Sequence, residues 1–226
     1  MALKSQMLRR PSSPEDELTR TRLLEAAGPI FAAEGFYGAK IRDICGQAGA
    51  NVAAVNYYFG DKLGLYKEVL RYSLCAAPLD PVLEAGSPKL KLRALIRMIL
   101  KSVFNAERPS WHMKLVLHEM SYPSPALDDL IEEFLRPRYD ILCSLIGGMI
   151  GQAADSRLTQ LCAHSVVGQA RHYVIANAVI AKVWRGFTFN EREIDQLTEH
   201  ILTFSLAGIR ACSRSKQPAK KGPARG

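Results

Sequence analysis

Residues 41–66, IRDICGQAGANVAAVNYYFGDKLGLY, contain two short amphipathic segments parted by a glycine. That spacing reads as a helix-turn-helix, with plain packing of two short helices as the alternative. Ile41, Ile44, Cys45 and Ala48 recur at intervals of three and four and so share one helical face, while Arg42, Asp43 and Gln47 point outward. Gly49 ends this helix because a sharp turn needs a positive φ that other residues resist. Asn51 is placed to cap the second helix, its side-chain oxygen accepting a backbone N–H that has no partner inside the helix. Val52, Val55 and Phe59 are expected to face inward. Ala53, Ala54, Asn56, Tyr57 and Tyr58 are left as an outer face of small residues beside hydrogen-bonding groups, which suits a groove.

The flanks support the same reading. Thr19 to Gly35 predicts a longer amphipathic helix with Leu23, Leu24, Ala27, Ile30 and Phe31 as its buried stripe and Gly35 as its stop. Gly60-Asp61-Lys62 opens a further helix with Leu63, Tyr66, Val69 and Leu70 inward. On the runs AAGPIFAAEGF and IRDICGQAGANVAAVNYYFGDKLGLYKEVL the chain resembles the TetR family of bacterial one-component regulators over about sixty residues. It departs from the family pattern at Ala39 and Lys40, where a Thr or Ser cap is usual, and at Asn56, where an aromatic or aliphatic residue is usual. The variant NYYFG, together with HEMSYPSPALDDLIEEFLRP, is similar to the CecR-like subgroup.

Composition adds bounds. A chain of 226 residues, 48% hydrophobic and without strand-like alternation, predicts an all-α protein with a three-helix head and a larger helical body. The formal charge is +8, but Lys4, Arg9 and Arg10 at one end and Arg210, Arg214, Lys216, Lys220, Lys221 and Arg225 at the other supply +9, so the interior is about neutral. The expected organisation is an arm over 1–15, a DNA-binding domain over 16–75, a regulatory and dimerisation domain over 76–212 and a basic disordered tail over 213–226. The arm precedes the reading helices and is positioned to touch the DNA backbone or minor groove.

Five scattered cysteines, with no CxxC and no His at ligand spacing, predict neither a disulfide framework nor a metal site. Cys45 and Cys162 read as small buried apolar residues. No signal peptide or membrane-length apolar run occurs in the sequence, so a cytoplasmic location is expected. HExxH, GxSxG, P-loop and GxGxxG patterns are missing, and SxxK at Ser213 to Lys216 falls in a polar tail. No catalytic residues and no cofactor are expected. A helical enzyme and an effector-independent DNA-binding protein remain the alternatives to a ligand-responsive regulator.

Past Leu74, Ala76 to Pro88 reads as a connector. Helices are expected over Lys89–Asn105, His112–Met120, Ser124 to about Ala154 with a bend at Pro137, Arg157–Trp184 and Glu191–Ala211. The last two carry apolar residues on more than one side. The resemblance implies a homodimer through a four-helix interface, here with Val167, Val174, Ala178, Ile201, Phe204 and Gly208. Polar and aromatic groups amid apolar helices make Trp111, Met113, Leu117, Tyr139, Cys143, Gln169, His172 and Tyr173 the candidate effector site. The candidate set for a double-stranded DNA operator is Lys40, Arg42, Asn51, Ala53, Ala54, Asn56, Tyr57, Tyr58 and Lys62.

Overall fold

The computed structural model describes residues 13–74, 84, 86–102 and 111–214. Most of the arm, most of the 76–88 connector and most of the basic tail lie outside them. Every regular element among the described residues is helical, and the chain forms two compact units. The first comprises Met1–Ala76 and Ala106–Leu135, the second Ala77–Asn105 and Arg136–Gly226.

In the first unit, α1 (Pro14–Gly38) begins earlier than the apolar pattern alone implies. Ser13 Oγ accepts from the Asp16 N–H at 3.2 Å, Pro14 occupies the first turn, and Glu15, Asp16 and Glu17 face the positive end of the helix. Gly35, expected as the stop, is a kink with φ 68° after which one further turn follows. Next come α2 (Ile41–Ala48), α3 (Val52–Phe59) and α4 (Lys62–Leu74). Leu23, Ala27, Phe31, Ile44, Val55, Phe59, Leu65, Tyr66 and Val69 form their common core, with Phe31 and Tyr66 edge to face at 4.7 Å.

The helix α6 (Trp111–Ser121) was expected in the regulatory body but belongs to this first unit. The reason is polar as well as apolar. Glu119, wholly buried, accepts from Tyr66 Oη at 2.8 Å on one carboxylate oxygen. Its other oxygen accepts from Ser124 N and Oγ, both at 3.0 Å. A buried carboxylate needs such donors, and the Trp111 ring fills the space directly above Gly28 of α1, where a Cβ would collide with it.

The single helix expected from Ser124 to about Ala154 is three pieces: α7 (Leu127–Leu130), a π turn (Ile131–Leu135) and α8 (Arg136–Ile150). Pro137 has no N–H to give a carbonyl four residues back, and the ladder changes register just before it. The second unit packs α5 (Pro88–Lys101), α8, α9 (Arg157–Ile175), α10 (Asn177–Val183) and α11 (Glu191–Arg214). Leu92, Ile96, Ile146, Ala163, Val166, Ile194, Leu197 and Ile201 lie at its centre. Arg97 pairs with Glu191 at 3.0 Å and Asp195 at 2.8 Å, Lys101 with Glu191 at 2.9 Å, and Arg93 with Glu199, all between α5 and α11. The penultimate helix, expected unbroken to Trp184, parts at Ala176, where Asn177 Nδ2 donates to the Val174 carbonyl at 3.3 Å. A side-chain amide competing for a backbone carbonyl is a local reason to leave the helix. No helix among the described residues is long and apolar enough to cross a membrane.

Candidate nucleic-acid interface

The turn between α2 and α3 rests on Gly49, in the left-handed region at φ 61° and ψ 36°. The Ala50 N–H donates to the Cys45 carbonyl at 3.0 Å, closing the end of α2 and turning the chain. α2 itself starts at Lys40 with no side-chain cap, as the missing Thr or Ser implies. Asn51 caps α3, its Oδ1 accepting from the Ala54 N–H at 2.9 Å. Asn51 is therefore committed to fixing the start of α3.

Along α3, Val55, Tyr58 and Phe59 face the core, while Ala53, Asn56 and Tyr57 are exposed and Ala54 is half-buried. This corrects two expectations. Tyr58, placed on the outer face by sequence, is only 5% exposed, and Val52, placed inside, is 43% exposed. Spacing explains the exchange: positions 55, 58 and 59 make an i, i+3, i+4 triad on one face, and Val52 is the first residue of the helix. The Tyr58 hydroxyl donates to Asp16 Oδ1 at 2.7 Å, and that bond, with desolvation second, pushes its pKa up to about 12. Tyr57 stands against it, the two rings edge to face at 4.9 Å. The outer face of α3 is thus held from below by α1.

Lys40 and Arg42 are exposed beside this face. Lys62, half-buried at the start of α4, lies 5.0 Å from the Phe36 ring centroid and reaches the Tyr37 carbonyl at 3.5 Å. Burial pushes its ammonium pKa down. α4 is capped by Asp61, whose Oδ1 accepts from the Gly64 N–H at 2.7 Å. Gly64 passes so close to the Phe59 carbonyl oxygen that a Cβ would collide with it. Nothing in the sequence marked Gly64, because only the crossing of α3 and α4 creates the need.

Of the effector candidates, Trp111, Met113 and Leu117 lie in the first unit and Tyr139, Cys143, Gln169, His172 and Tyr173 in the second. Trp111 stacks on His112 at 4.2 Å. Cys143 is buried one turn from Tyr139, and burial raises both of their pKa values. Gln169 Nε2 donates to Ser205 Oγ of α11 at 3.2 Å. Tyr173 joins an aromatic group with Trp184, Phe187 and Phe189, none of which was among the effector candidates. Neighbouring Arg171 has its pKa lowered by burial. Among the dimer candidates, Phe204, Ala178 and Gly208 are exposed and Val167 is half-buried, whereas Val174 and Ile201 are buried within the subunit. Among the described residues no group of three or more His, Cys, Asp or Glu side chains is arranged to hold a metal.

Residues 23–69 match the family described as bacterial regulatory proteins, tetR family. Residues 88–209 match the C-terminal domain of the HTH-type transcriptional dual regulator CecR. The chain is 26% identical over 191 residues to the transcriptional regulator RutR of Escherichia coli strain K12, covering 83% of this chain and 89% of RutR. It is 25% identical over 200 residues to the dual regulator CecR of Shigella flexneri, covering 83% and 89%. Its fold is similar to that of AibR, solved in complex with isovaleryl coenzyme A and operator DNA, with a TM-score of 0.58, 17% identity and coverage of 82% and 97%.

Proposed function

We propose, from the premise that this chain belongs to the TetR family of bacterial regulators and carries its CecR-type C-terminal domain, that it is a homodimeric repressor released from a palindromic operator by a small molecule. Membership makes it a DNA-binding transcriptional regulator and not an enzyme. The observation that carries the finer reading is the outer face of α3. It bears exposed Ala53, Asn56 and Tyr57 on a helix locked by the Asn51 cap and by the buried Val55, Tyr58 and Phe59.

In this reading Asn56 reads a base edge, because its amide donates and accepts at adenine in the major groove. Ala53 and Ala54 leave room for close approach, and Lys40, Arg42, Tyr57 and Lys62 hold phosphates. Tyr58 acts from beneath, through Asp16 and Tyr57, instead of touching DNA. Two copies joined through α9, α10 and α11 would present two α3 helices about one DNA turn, roughly 34 Å, apart. The exposed Phe204, Ala178 and Gly208 support that surface.

The effector is an at least partly apolar molecule, neutral or anionic, taken up in the second unit beside Tyr139, Cys143, His172 and Tyr173, with Arg171 nearby. The fold neighbour AibR, solved with an acyl coenzyme A, supports a ligand of this class. Release of DNA requires the ligand to favour the non-binding conformation, and a tenfold loss of operator affinity corresponds to about 1.4 kcal/mol of differential binding. The test is selection of bound duplexes from a randomised library, followed by titration of acyl thioesters and aromatic acids against the selected complex. A palindromic consensus and release by at least one compound class, weakened in Tyr173→Ala, is the expected result. Selection of no consensus would overturn the operator reading, and equal release from Tyr173→Ala and His172→Ala would place the effector elsewhere.

A further inference from the structure

We propose that Cys162 and Cys212 form a dithiol that a hydroperoxide converts reversibly into a disulfide joining α9 to the end of α11 within one subunit. The geometry comes from helix register. Gln169 of α9 bonds Ser205 of α11 at 3.2 Å. Seven residues back along α9 is Cys162, and seven residues on along α11 is Cys212. Seven residues are close to two helical turns, so on antiparallel helices the same faces meet again at this pair. The structure brings the two thiols within hydrogen-bonding contact there. Along α11, Ile201, Ser205 and Ile209 are buried, and Cys212 continues that stripe one turn later at the point where the helix reaches solvent.

The two sulfurs differ in environment. Cys212 is exposed, while Cys162 is buried in the core of the second unit. Burial pushes the Cys162 thiol pKa up, so the oxidant meets Cys212 first. The Cys212 thiolate attacks the peroxide, leaving a sulfenic acid and an alcohol, or water when the oxidant is hydrogen peroxide. The Cys162 sulfur then attacks the sulfenic sulfur, and water leaves as the S–S bond forms. Two thiols lose two electrons and two protons, and the peroxide takes up both. In a reducing compartment a pair of this kind closes only transiently, which is the behaviour of a redox-sensing site.

The pairing stands independently of the dimer and effector readings. The full-length protein is treated with a few equivalents of hydrogen peroxide, its remaining thiols are alkylated, and it is digested with trypsin without reduction. The expected product is the peptide Leu158–Arg171 joined to Ala211–Arg214, abolished by dithiothreitol. In Cys212→Ser, Cys162 should stay fully alkylatable after denaturation. In Cys162→Ser, Cys212 should be trapped by dimedone as the sulfenic acid. Linkage of Cys212 to another copy or to Cys75 would overturn the proposal. So would a sulfinic or sulfonic acid at Cys212 beside an unmodified Cys162, or the absence of the joined peptide.

Discussion

Asn56 on α3 and Gly64 on α4 serve opposite ends, one exposed for recognition and the other confined by a carbonyl. Asn56→Ala should cost about 1–3 kcal/mol at the preferred operator and less at variants changed at the contacted base, so preference among sequences narrows. Arg42→Ala should instead weaken all duplexes alike and reduce the salt slope by about one. Fluorescence anisotropy against a set of single-base operator variants at two salt concentrations separates the two patterns. Gly64→Ala should destabilise the fold by about 1–3 kcal/mol, since the atom it meets is the backbone carbonyl of Phe59 and cannot swing away. Urea unfolding at neutral pH measures it, and an unchanged midpoint would show that α3 and α4 separate at little cost.

The elements of the head were legible wherever a period and a stop signal agreed, as at Ile41–Ala48 with Gly49. Legibility failed where a single side chain altered the backbone: Asn177 parts α9 from α10, and the π turn at 131–135 precedes Pro137. That π turn carries Glu133, which receives Arg71 Nε at 2.7 Å and Nη2 at 2.6 Å, while Arg71 Nη1 also bonds Glu68 at 2.8 Å. The Arg71 guanidinium holds the Glu133 carboxyl below its ordinary value of 4.5. A carboxyl depressed in the folded state stabilises the protein above the unfolded value and loses that contribution as pH falls through the folded one. The pair is partly exposed, so solvent screening limits its worth to about 0.5–1 kcal/mol. Glu133→Gln should therefore lower the urea midpoint at pH 7, and the gap from wild type should close as the pH falls below 4.5. A gap that stayed constant through that fall would show that the charge on Glu133 is not what stabilises the contact.

For the whole molecule the distinction that matters is between apolar residues that complete a subunit and those that await a second copy. Sequence periodicity marked Ile201, Val174 and Phe204 alike. The fold separates them, with Ile201 and Val174 buried and Phe204 63% exposed. Phe204→Glu is accordingly the decisive substitution. A carboxylate facing its symmetry mate costs several kcal/mol on association, yet at an exposed site it costs the isolated subunit little. Light scattering should find a dimer for wild type and a monomer of unchanged helicity for Phe204→Glu, with operator affinity reduced at least tenfold. A monomeric wild type at micromolar concentration would remove the dimer from the account. Val174→Glu would not make the same test, because it would unfold the subunit core.

The sequence alone determined the helical class, the Gly49 turn, the Asn51 cap and the inward places of Val55 and Phe59, because each depends on a period or a backbone preference within a few residues. It also carried the family pattern. Tertiary structure decided the inward turn of Tyr58, which depends on an Asp16 carboxylate forty-two positions away. It decided that α6 joins the head, through Tyr66 and Glu119. It decided the need for glycine at 28 and 64, and the meeting of Cys162 with Cys212. All of these turn on which distant atoms become neighbours, and hydrophobic periodicity fixes the face of a helix without fixing what that face will touch.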